Sequence, residues 1–235
     1  GMPAWLCILL AVVVCSIIGV LTEKIAYKPL RGAPSLSVLI TAIAVSLFLE
    51  NLALLLFSSA PRPVSSIFDV EPIAVGPFQF SATTIATILL SVAIMIGLQI
   101  FIKKTRLGKA MRAVSEDSQA AVLVGISTDR TISLTFAVGS GLAAVAAVMY
   151  CTAYPQVQPY MGTMLGLKAF IAAVLGGIGS IPGAMLGGIV IGLVESLTKG
   201  YISTRLADAV VFAILIIVLL VKPTGIMGKN VGEKV

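Results

Sequence analysis

The sequence predicts an all-α fold, a polytopic transmembrane helical bundle with about six or seven membrane segments, of which one pair is short or re-entrant. The first observation is composition: 58% of the 235 residues are hydrophobic and only 11% are charged. A soluble domain usually carries about a quarter charged residues, and one core of this size cannot hide the apolar excess. The second observation is run length. The apolar runs are continuous over about 20 residues, as a spanning helix needs, whereas barrel strands alternate over about ten.

Five of the apolar runs are uninterrupted and a sixth is broken by glycines. The first run has no charged segment before it and no small-residue cleavage site after it, so we do not expect a cleaved signal peptide. In chain order the runs cover residues 4–22, 36–57, 84–102, 131–153, the glycine-broken 166–198, and 207–222.

The basic residues predict the orientation of these spans. Residues 23–35, the loop 103–130 and the carboxy-terminal tail together hold twelve of the sixteen lysines and arginines. The positive-inside rule then places these three segments in the cytoplasm and the first residue outside. The stretch 166–198 must therefore enter and return, either as two short crossings or as a re-entrant pair. The basic residues of the three segments are Lys24, Lys28, Arg31, Lys103, Lys104, Arg106, Lys109, Arg112, Arg130, Lys222, Lys229 and Lys234.

Several classes of function are disfavoured by composition. The net charge of +6 is explained by topology, so no nucleic-acid partner is expected. The chain has no histidine, which removes histidine bases and histidine metal ligands. Cys7, Cys15 and Cys151 lie in apolar runs and offer no disulfide framework. No nucleotide-binding P-loop motif and no nucleophile with a base is present, so we expect neither an enzyme nor a metal site.

Glycines are concentrated between positions 176 and 192. Gly179, Gly183 and Gly187 stand four apart, so a helix that begins near Pro182 would present a stripe without side chains. One interpretation is a tight hairpin packed against its neighbours. The other is a broken helix whose backbone lines a permeation cavity. The candidate packing or pathway residues are Gly176, Gly177, Gly179, Gly183, Gly187 and Gly188.

The loop 103–130 carries apolar residues at helical intervals, which predicts two short helices within it. Ser115 is a candidate N-cap of the second helix, and Gly125 is a candidate closing residue. One interpretation is a solvated connector. The alternative is a surface helix that docks into a cytoplasmic partner.

Four polar residues lie within or beside apolar runs, where charge is unfavourable. They are Glu50, Asn51, Lys168 and Glu195, each placed near the outer face by the predicted topology. Snorkelling or interhelical pairing explains them without a function. The alternative is that they edge the mouth of a solute pathway.

The loop resembles the coupling segment of permease subunits of ATP-binding-cassette importers. Gln119-Ala120-Ala121-x-x-x-Gly125 is similar to their EAA-xxx-G motif, with Gln for the usual Glu. Almost the whole chain resembles the branched-chain amino acid permeases. Further matching segments are Tyr27-Lys28-Pro29-Leu30-Arg31, Thr105-Arg106-Leu107-Gly108, Ile126, Asp129-Arg130, Ile40-Thr41 with Asn51, Lys168-Ala169-Phe170, 172–180, and Pro223-Thr224-Gly225-Ile226.

The resemblance implies one transmembrane permease domain over residues 1–235 that lacks the amino-terminal helices of the family, with 103–130 as a cytoplasmic coupling loop. It implies an importer of branched-chain or related amino acids in the cytoplasmic (inner) membrane. Separate ATPase subunits would bind ATP and Mg, so this chain itself needs no cofactor. The complete importer would also contain a second permease subunit, identical or paralogous, and an extracytoplasmic amino acid-binding protein. The residues implied in coupling are Glu116, Asp117, Gln119, Ala120, Ala121 and Gly125.

Without the resemblance, the glycine-broken helix would also permit a secondary transporter or a channel for small solutes. The small number of buried acids and the lack of histidine argue against a proton-coupled carrier. Association with an ATPase would distinguish an ATP-driven importer from a secondary transporter or channel.

Overall fold

The computed structural model describes residues 3–64, 73–75, 78–80, 82–222 and 224–228. Gly1, Pro223, Lys229 and Lys234, which entered the sequence predictions, lie outside the described residues. Nine α-helices form in the described part of the chain. They are α1 (Ala4–Thr22), α2 (Ser35–Phe57), α3 (Ala82–Lys104), α4 (Arg106–Glu116), α5 (Ser118–Leu123), α6 (Thr128–Ala153), α7 (Met161–Gly176), α8 (Ile181–Tyr201) and α9 (Ala207–Val221).

Short elements join these helices. A π-helical turn (Glu23–Tyr27) and a 3-10 turn (Lys28–Leu30) extend α1, and a 3-10 turn (Thr204–Leu206) precedes α9. Within the described residues, four short strands form two antiparallel pairs, β1 with β4 and β2 with β3. Their bounds are β1 (Arg62–Pro63), β2 (Ile73–Val75), β3 (Phe78–Phe80) and β4 (Gln156–Val157).

The prediction of an all-α polytopic bundle is confirmed. Among the described residues, six helices are long and apolar enough to cross a membrane. The predicted stretch 166–198 is a helix pair of unequal length, since α7 has 16 residues and α8 has 21. Of these two helices, α8 has the roughly 20 residues of a full crossing and α7 does not.

The chain forms two compact units, 1–159 and 160–235. In the first unit, α1 packs along α6, and the hydroxyl of Ser16 donates a 3.1 Å hydrogen bond to the carbonyl of Ala137. The rings of Tyr27 and Phe136 lie 5.2 Å apart between centroids. These contacts join the end of α1 and its π-helical turn to the first half of α6.

Contacts at two ends of the first unit show which connections share a side. At one end, β1 pairs with β4, so the connection after α2 meets the connection after α6. At the other end, Lys28 pairs with Asp129 at the start of α6. The connection between α1 and α2 therefore meets the end of the loop 103–130. The positive-inside assignment predicts the same two groupings.

In the second unit, α7, α8 and α9 enclose one apolar core. Ile171 and Leu175 of α7 meet Ile191 of α8 and Val211 of α9, and all four are almost completely buried. Residues 224–228 return to the end of α7: the backbone N–H of Ile226 donates to Leu175 O at 2.8 Å, and that of Met227 to Gly176 O at 3.0 Å. The carbonyls that α7 leaves unpaired at its end are thus satisfied by the chain itself.

Candidate functional site

The loop between α3 and α6 contains the two short helices that the sequence predicts. The hydroxyl of Thr105 accepts a 3.0 Å hydrogen bond from Gly108 N–H and caps α4. The N-cap of α5 is Asp117, whose carboxylate accepts hydrogen bonds from the N–H groups of Gln119 at 2.9 Å and Ala120 at 3.0 Å. A carboxylate at this position satisfies backbone donors and also complements the positive end of the helix.

The prediction that Ser115 caps the second helix is wrong. Ser115 lies inside α4, and its hydroxyl donates to the carbonyl of Arg112 at 2.8 Å. The first helix runs to Glu116, so the break between the helices falls at Asp117, two residues after the predicted cap.

Gly125 closes α5, as the sequence predicts. Its φ is +85°, in the left-handed region that favours glycine. The N–H of Gly125 donates to Val122 O, and the N–H of Ile126 donates to Ala121 O, both at 3.0 Å. This pair of bonds is a Schellman motif, which ends a helix and fixes the direction of the following chain. A Cβ on Gly125 would meet nothing within 4 Å, so backbone conformation alone requires the glycine.

The surface of α5 differs from the expected surface of small residues. Ala121 is 2% exposed and is therefore buried within its own unit. The apolar residues that follow it are open: Leu123 is 87% exposed, Val124 is 76% exposed and Val122 is 56% exposed. The sequence pattern marked Leu123 and Val124 as apolar positions of a helix but did not predict that they are exposed, although three large apolar residues directly before a helix-closing glycine in a polar loop are a readable signal of such a tip. The other predicted coupling residues, Glu116, Asp117, Gln119, Ala120 and Gly125, lie at the surface.

The predicted glycine stripe packs α8 against α7. A Cβ on Gly183 would collide with the carbonyl of Gly176, and one on Gly187 would collide with the carbonyl of Ala172. Both obstacles are backbone, which cannot move aside as a flexible side chain can. Gly188 is peripheral, since its Cβ would lie 3.9 Å from Ala172 Cβ. Gly179 has φ +91° and lies in the turn, with nothing within 4 Å, so it is not part of the packed stripe.

The break between α7 and α8 is filled by protein. The hydroxyl of Ser180 accepts from Gly183 N–H at 3.2 Å and caps α8, whose first turn contains Pro182, as predicted. The backbone of Gly177, with φ +105°, lies directly against that of Gly228. These contacts favour the tightly packed hairpin over a bare backbone that lines a cavity. A pathway role for the six glycines stays a prediction.

A second group of residues, the α7–α9 charge cluster, consists of Lys168, Glu195, Lys199 and Asp208. Lys168 Nζ lies 2.8 Å from Glu195 Oε1 and 2.8 Å from Asp208 Oδ1. Lys199 Nζ lies 2.5 Å from Glu195 Oε1, one helical turn away. Lys168 and Glu195 are thus paired between helices, which the sequence reasoning gave as one interpretation. It missed Lys199 and Asp208, although the spacing from Glu195 to Lys199 is a standard ion-pair spacing.

The other two polar candidates lie on α2. The side-chain amide of Asn51 donates a 2.7 Å hydrogen bond to Leu47 O within the same helix and is exposed. Glu50 is partly buried. A role for these two residues at the mouth of a pathway stays a prediction.

The sequence reasoning also missed the Glu23 cluster, which consists of Glu23, Lys28, Arg31, Asp129 and Ser133. Glu23 is 0% exposed, pairs with Arg31 and accepts a 2.6 Å hydrogen bond from the Ser133 hydroxyl. Arg31 also pairs with Asp129, whose second oxygen lies 2.8 Å from Lys28 Nζ. The sequence feature that could have indicated this cluster is an isolated acid, Glu23, at the end of an apolar run and directly before a basic connection.

Comparison with known families decides the class of protein. The family described as branched-chain amino acid transport system / permease component matches residues 1–219. The chain belongs to this family. It is therefore a multi-pass membrane protein and a permease component of a transport system, not an enzyme by family.

Individual relatives agree over most of the permease. It is 46% identical over 229 residues to the high-affinity branched-chain amino acid transport system permease protein LivH of Escherichia coli K12, and 45% identical to LivH of Salmonella typhimurium LT2. In both cases 96% of this chain and 74% of the relative are covered. The permease protein BraD of Pseudomonas aeruginosa is 41% identical over 235 residues, with 96% and 75% covered. No solved structure gives a significant match.

Proposed function

We propose that this permease moves branched-chain or related amino acids inward across the cytoplasmic membrane, driven by ATP hydrolysis in separate subunits. The assignment of the substrate class is supported by 41–46% identity, over 96% of this chain, to permeases named for branched-chain amino acids. Residues 1–235 act as one permease domain in this proposal. ATP and Mg bind to the ATPase subunits, and this chain binds neither.

The observation that carries the coupling part of the proposal is the apolar tip of α5. Leu123 and Val124 project from a short helix that is capped at both ends, between two spanning helices. Exposed large apolar side chains on a short helix suit insertion into a groove of a partner. The Schellman motif at Gly125 holds this tip at a fixed angle to α6. A solvated connector would gain nothing from either feature.

The sidedness of the permease follows from the same loop. The connections 23–35 and 103–130 meet through Lys28, Arg31 and Asp129, and they hold nine basic residues between them. Positive charge of this density in short connections favours the cytoplasmic side. Docking of α5 to a cytoplasmic ATPase requires the same orientation. A second permease subunit, identical or paralogous, and an extracytoplasmic amino acid-binding protein complete the proposed importer.

The test compares two glycines of the same backbone type. Gly125 and Gly32 both have positive φ, +85° and +103°, and a Cβ would meet nothing within 4 Å at either position. Gly125→Val and Gly32→Val therefore introduce similar local strain, but only the first lies at the end of α5. We expect Gly125→Val to weaken co-purification of the ATPase subunits or to uncouple ATP hydrolysis from leucine uptake. Gly32→Val is expected to keep both.

Leu123→Asp gives a second test that does not strain the backbone. Leu123 is exposed, so the substitution leaves the fold of the first unit intact and places a charge where the partner's apolar groove is expected. The proposal fails if both Leu123→Asp and Gly125→Val variants retain ATPase association and uptake at the level of the unmodified chain. Uptake by the purified chain alone, without any ATPase, would instead indicate a secondary transporter or channel.

Labelling tests the orientation independently of transport. Ser118 is exposed in the predicted cytoplasmic loop. We expect a cysteine introduced there to react with a membrane-impermeant reagent in inverted vesicles, and to be protected in intact cells. Reaction from outside intact cells would contradict both the topology and the coupling proposal.

A further inference from the structure

An open cleft lies beside the Glu23 cluster, between the end of α1 and the start of α6. Its volume is about 480 Å³. The residues that line it are Val20, Lys24, Lys28, Asp129, Arg130, Ser133 and Leu134. All of them belong to the first unit.

The cleft carries a surplus of positive charge. Four residues of the adjacent Glu23 cluster, namely Glu23, Arg31, Lys28 and Asp129, pair with one another and sum to zero. Lys24 and Arg130 remain. Both are exposed, and neither makes an ion pair with a carboxylate of the described residues. Two uncompensated cations, one on the turn after α1 and one near the start of α6, suit an anion with oxygen acceptors, such as a phosphodiester.

The lining of the cleft also changes along the two helices, from apolar on the bilayer side to basic on the aqueous side. Val20 lies one turn before Lys24 on α1, and Leu134 lies one turn after Arg130 on α6. Both helices are candidate membrane spans, and in the proposed topology, on which this inference rests, these ends lie at the cytoplasmic surface. The apolar lining is thus on the bilayer side and the basic lining on the aqueous side. A free anion would contact only the basic lining. A lipid would place its headgroup against the basic lining and its first acyl carbons against the apolar lining.

We propose that this cleft is a binding site for the headgroup of an anionic phospholipid, held by Lys24 and Arg130 at the membrane surface. A phosphatidylglycerol-type lipid supplies such an anion, since its phosphodiester carries one negative charge. Lys28 is already engaged by Asp129 and contributes less. The lining of the cleft does not include Leu123 or Val124 of the apolar tip of α5, so the lipid site is distinct from the proposed coupling contact.

The experiment uses the full chain with the subunits that co-purify with it, released from detergent in a native mass spectrometer after addition of phosphatidylglycerol. Lys24→Gln/Arg130→Gln is expected to reduce the bound phosphatidylglycerol by about tenfold or more, since two surface charges are lost. Lys103→Gln/Lys104→Gln is the matched control, because these two lysines end α3 in the same basic loop and do not line the cleft. The control should retain the lipid.

A second variant tests the cleft without removing any charge, so that loss of lipid through misfolding of the first variant can be distinguished from loss of the site. Leu134→Phe narrows the apolar part of the cleft and leaves every charge in place, and it should also reduce bound phosphatidylglycerol. Phosphatidylcholine, which has no net charge, should bind poorly to all variants. Millimolar inorganic phosphate should not displace phosphatidylglycerol.

Three results would overturn the proposal. Equal lipid retention in Lys24→Gln/Arg130→Gln and in the unmodified chain would show that the cleft binds no headgroup. Equal loss in the cleft variant and in the Lys103/Lys104 control would show that only general charge matters. Displacement by inorganic phosphate would assign the cleft to a soluble anion instead of a lipid.

Discussion

The two charge clusters of the permease join helices in different ways. In the Glu23 cluster, a carboxylate with no exposed surface depends on Arg31 and on the Ser133 hydroxyl. In the α7–α9 charge cluster, the central side chains of Lys168 and Glu195 keep 23% and 17% of their surface exposed. A buried charge is strongly unfavourable once its partner is lost, whereas an exposed pair contributes little. The first unit therefore depends on its charges, and the second unit depends more on the glycine contacts between α7 and α8.

The largest effect is expected from Arg31→Ala. This change leaves the buried Glu23 without its cation, and breaking one partner of a buried pair destabilises by about 3–5 kcal/mol. We expect a strongly reduced amount of folded protein and a lower unfolding temperature in detergent. Arg62→Ala is the control, because Arg62 is exposed and, within the described part of the chain, its guanidinium donates to the Phe57 carbonyl at 3.0 Å and pairs with no carboxylate.

A rescue experiment tests whether the buried charge is the cause. Glu23→Gln in the Arg31→Ala background removes the uncompensated charge and keeps the shape of the side chain. It should recover a large part of the lost stability. If the double variant is as unstable as Arg31→Ala alone, then Arg31 stabilises the first unit through Asp129 or through packing. The burial of Glu23 would then not explain why the two clusters differ in their contribution to stability.

Gly183→Ile is expected to have the next largest effect and tests the glycine packing of the second unit. The added side chain meets the carbonyl of Gly176, and overpacking of this kind destabilises by about 1–3 kcal/mol or more. Gly192→Ile is the matched control on the same helix, since a Cβ there meets nothing within 4 Å. The unfolding temperature and the expression level should fall for Gly183→Ile only. Equal loss for both would mean that helix propensity, and not close backbone contact, is what the glycines of α8 supply.

The spans and some of the helix termini could be predicted from the sequence because local patterns determine them, although the start of α5 was placed at Ser115 instead of Asp117. Continuous apolar runs give the spanning helices, Pro182 marks the start of α8, and Gly125 marks the end of α5. Each of these signals depends on residues within about one turn of the position it defines.

The two charge clusters could not be predicted from the sequence, because their members are far apart along the chain. Glu23 and Ser133 are 110 positions apart, and Lys168 lies on α7 whereas Asp208 lies on α9, with α8 between them in the chain. Nothing in a local pattern says which helix packs beside which, so the partners of Glu23 could not be identified from the sequence. Likewise, Ala121 resembled a surface residue of the coupling motif, and only the packing of α5 shows that it is buried.

Lys168→Met is expected to have an intermediate effect in the second unit. It removes the cation shared by Glu195 and Asp208, which then face each other without it. Because both lysine and glutamate are partly exposed, we expect a loss of about 1–2 kcal/mol, between the values for exposed and buried pairs. Measurement of unfolding in detergent at low and high salt should show a smaller difference at high salt. A loss as large as that of Arg31→Ala would remove the contrast between the two clusters.

The smallest effect is expected from Lys199→Ala. Lys199 pairs with Glu195 within one helix, at the i, i+4 spacing and with the acid on the amino-terminal side, which is the favourable order. Its side chain is 44% exposed, and pairs of this kind contribute about 0.3–0.5 kcal/mol. Glu195 keeps Lys168 after the change, so no charge is left uncompensated. The unfolding temperature should shift by far less than for Lys168→Met, and the shift should disappear in high salt. If Lys199→Ala instead matches Lys168→Met at every salt concentration, then Glu195 needs both cations at once, and the α7–α9 charge cluster behaves as a buried network despite its exposure.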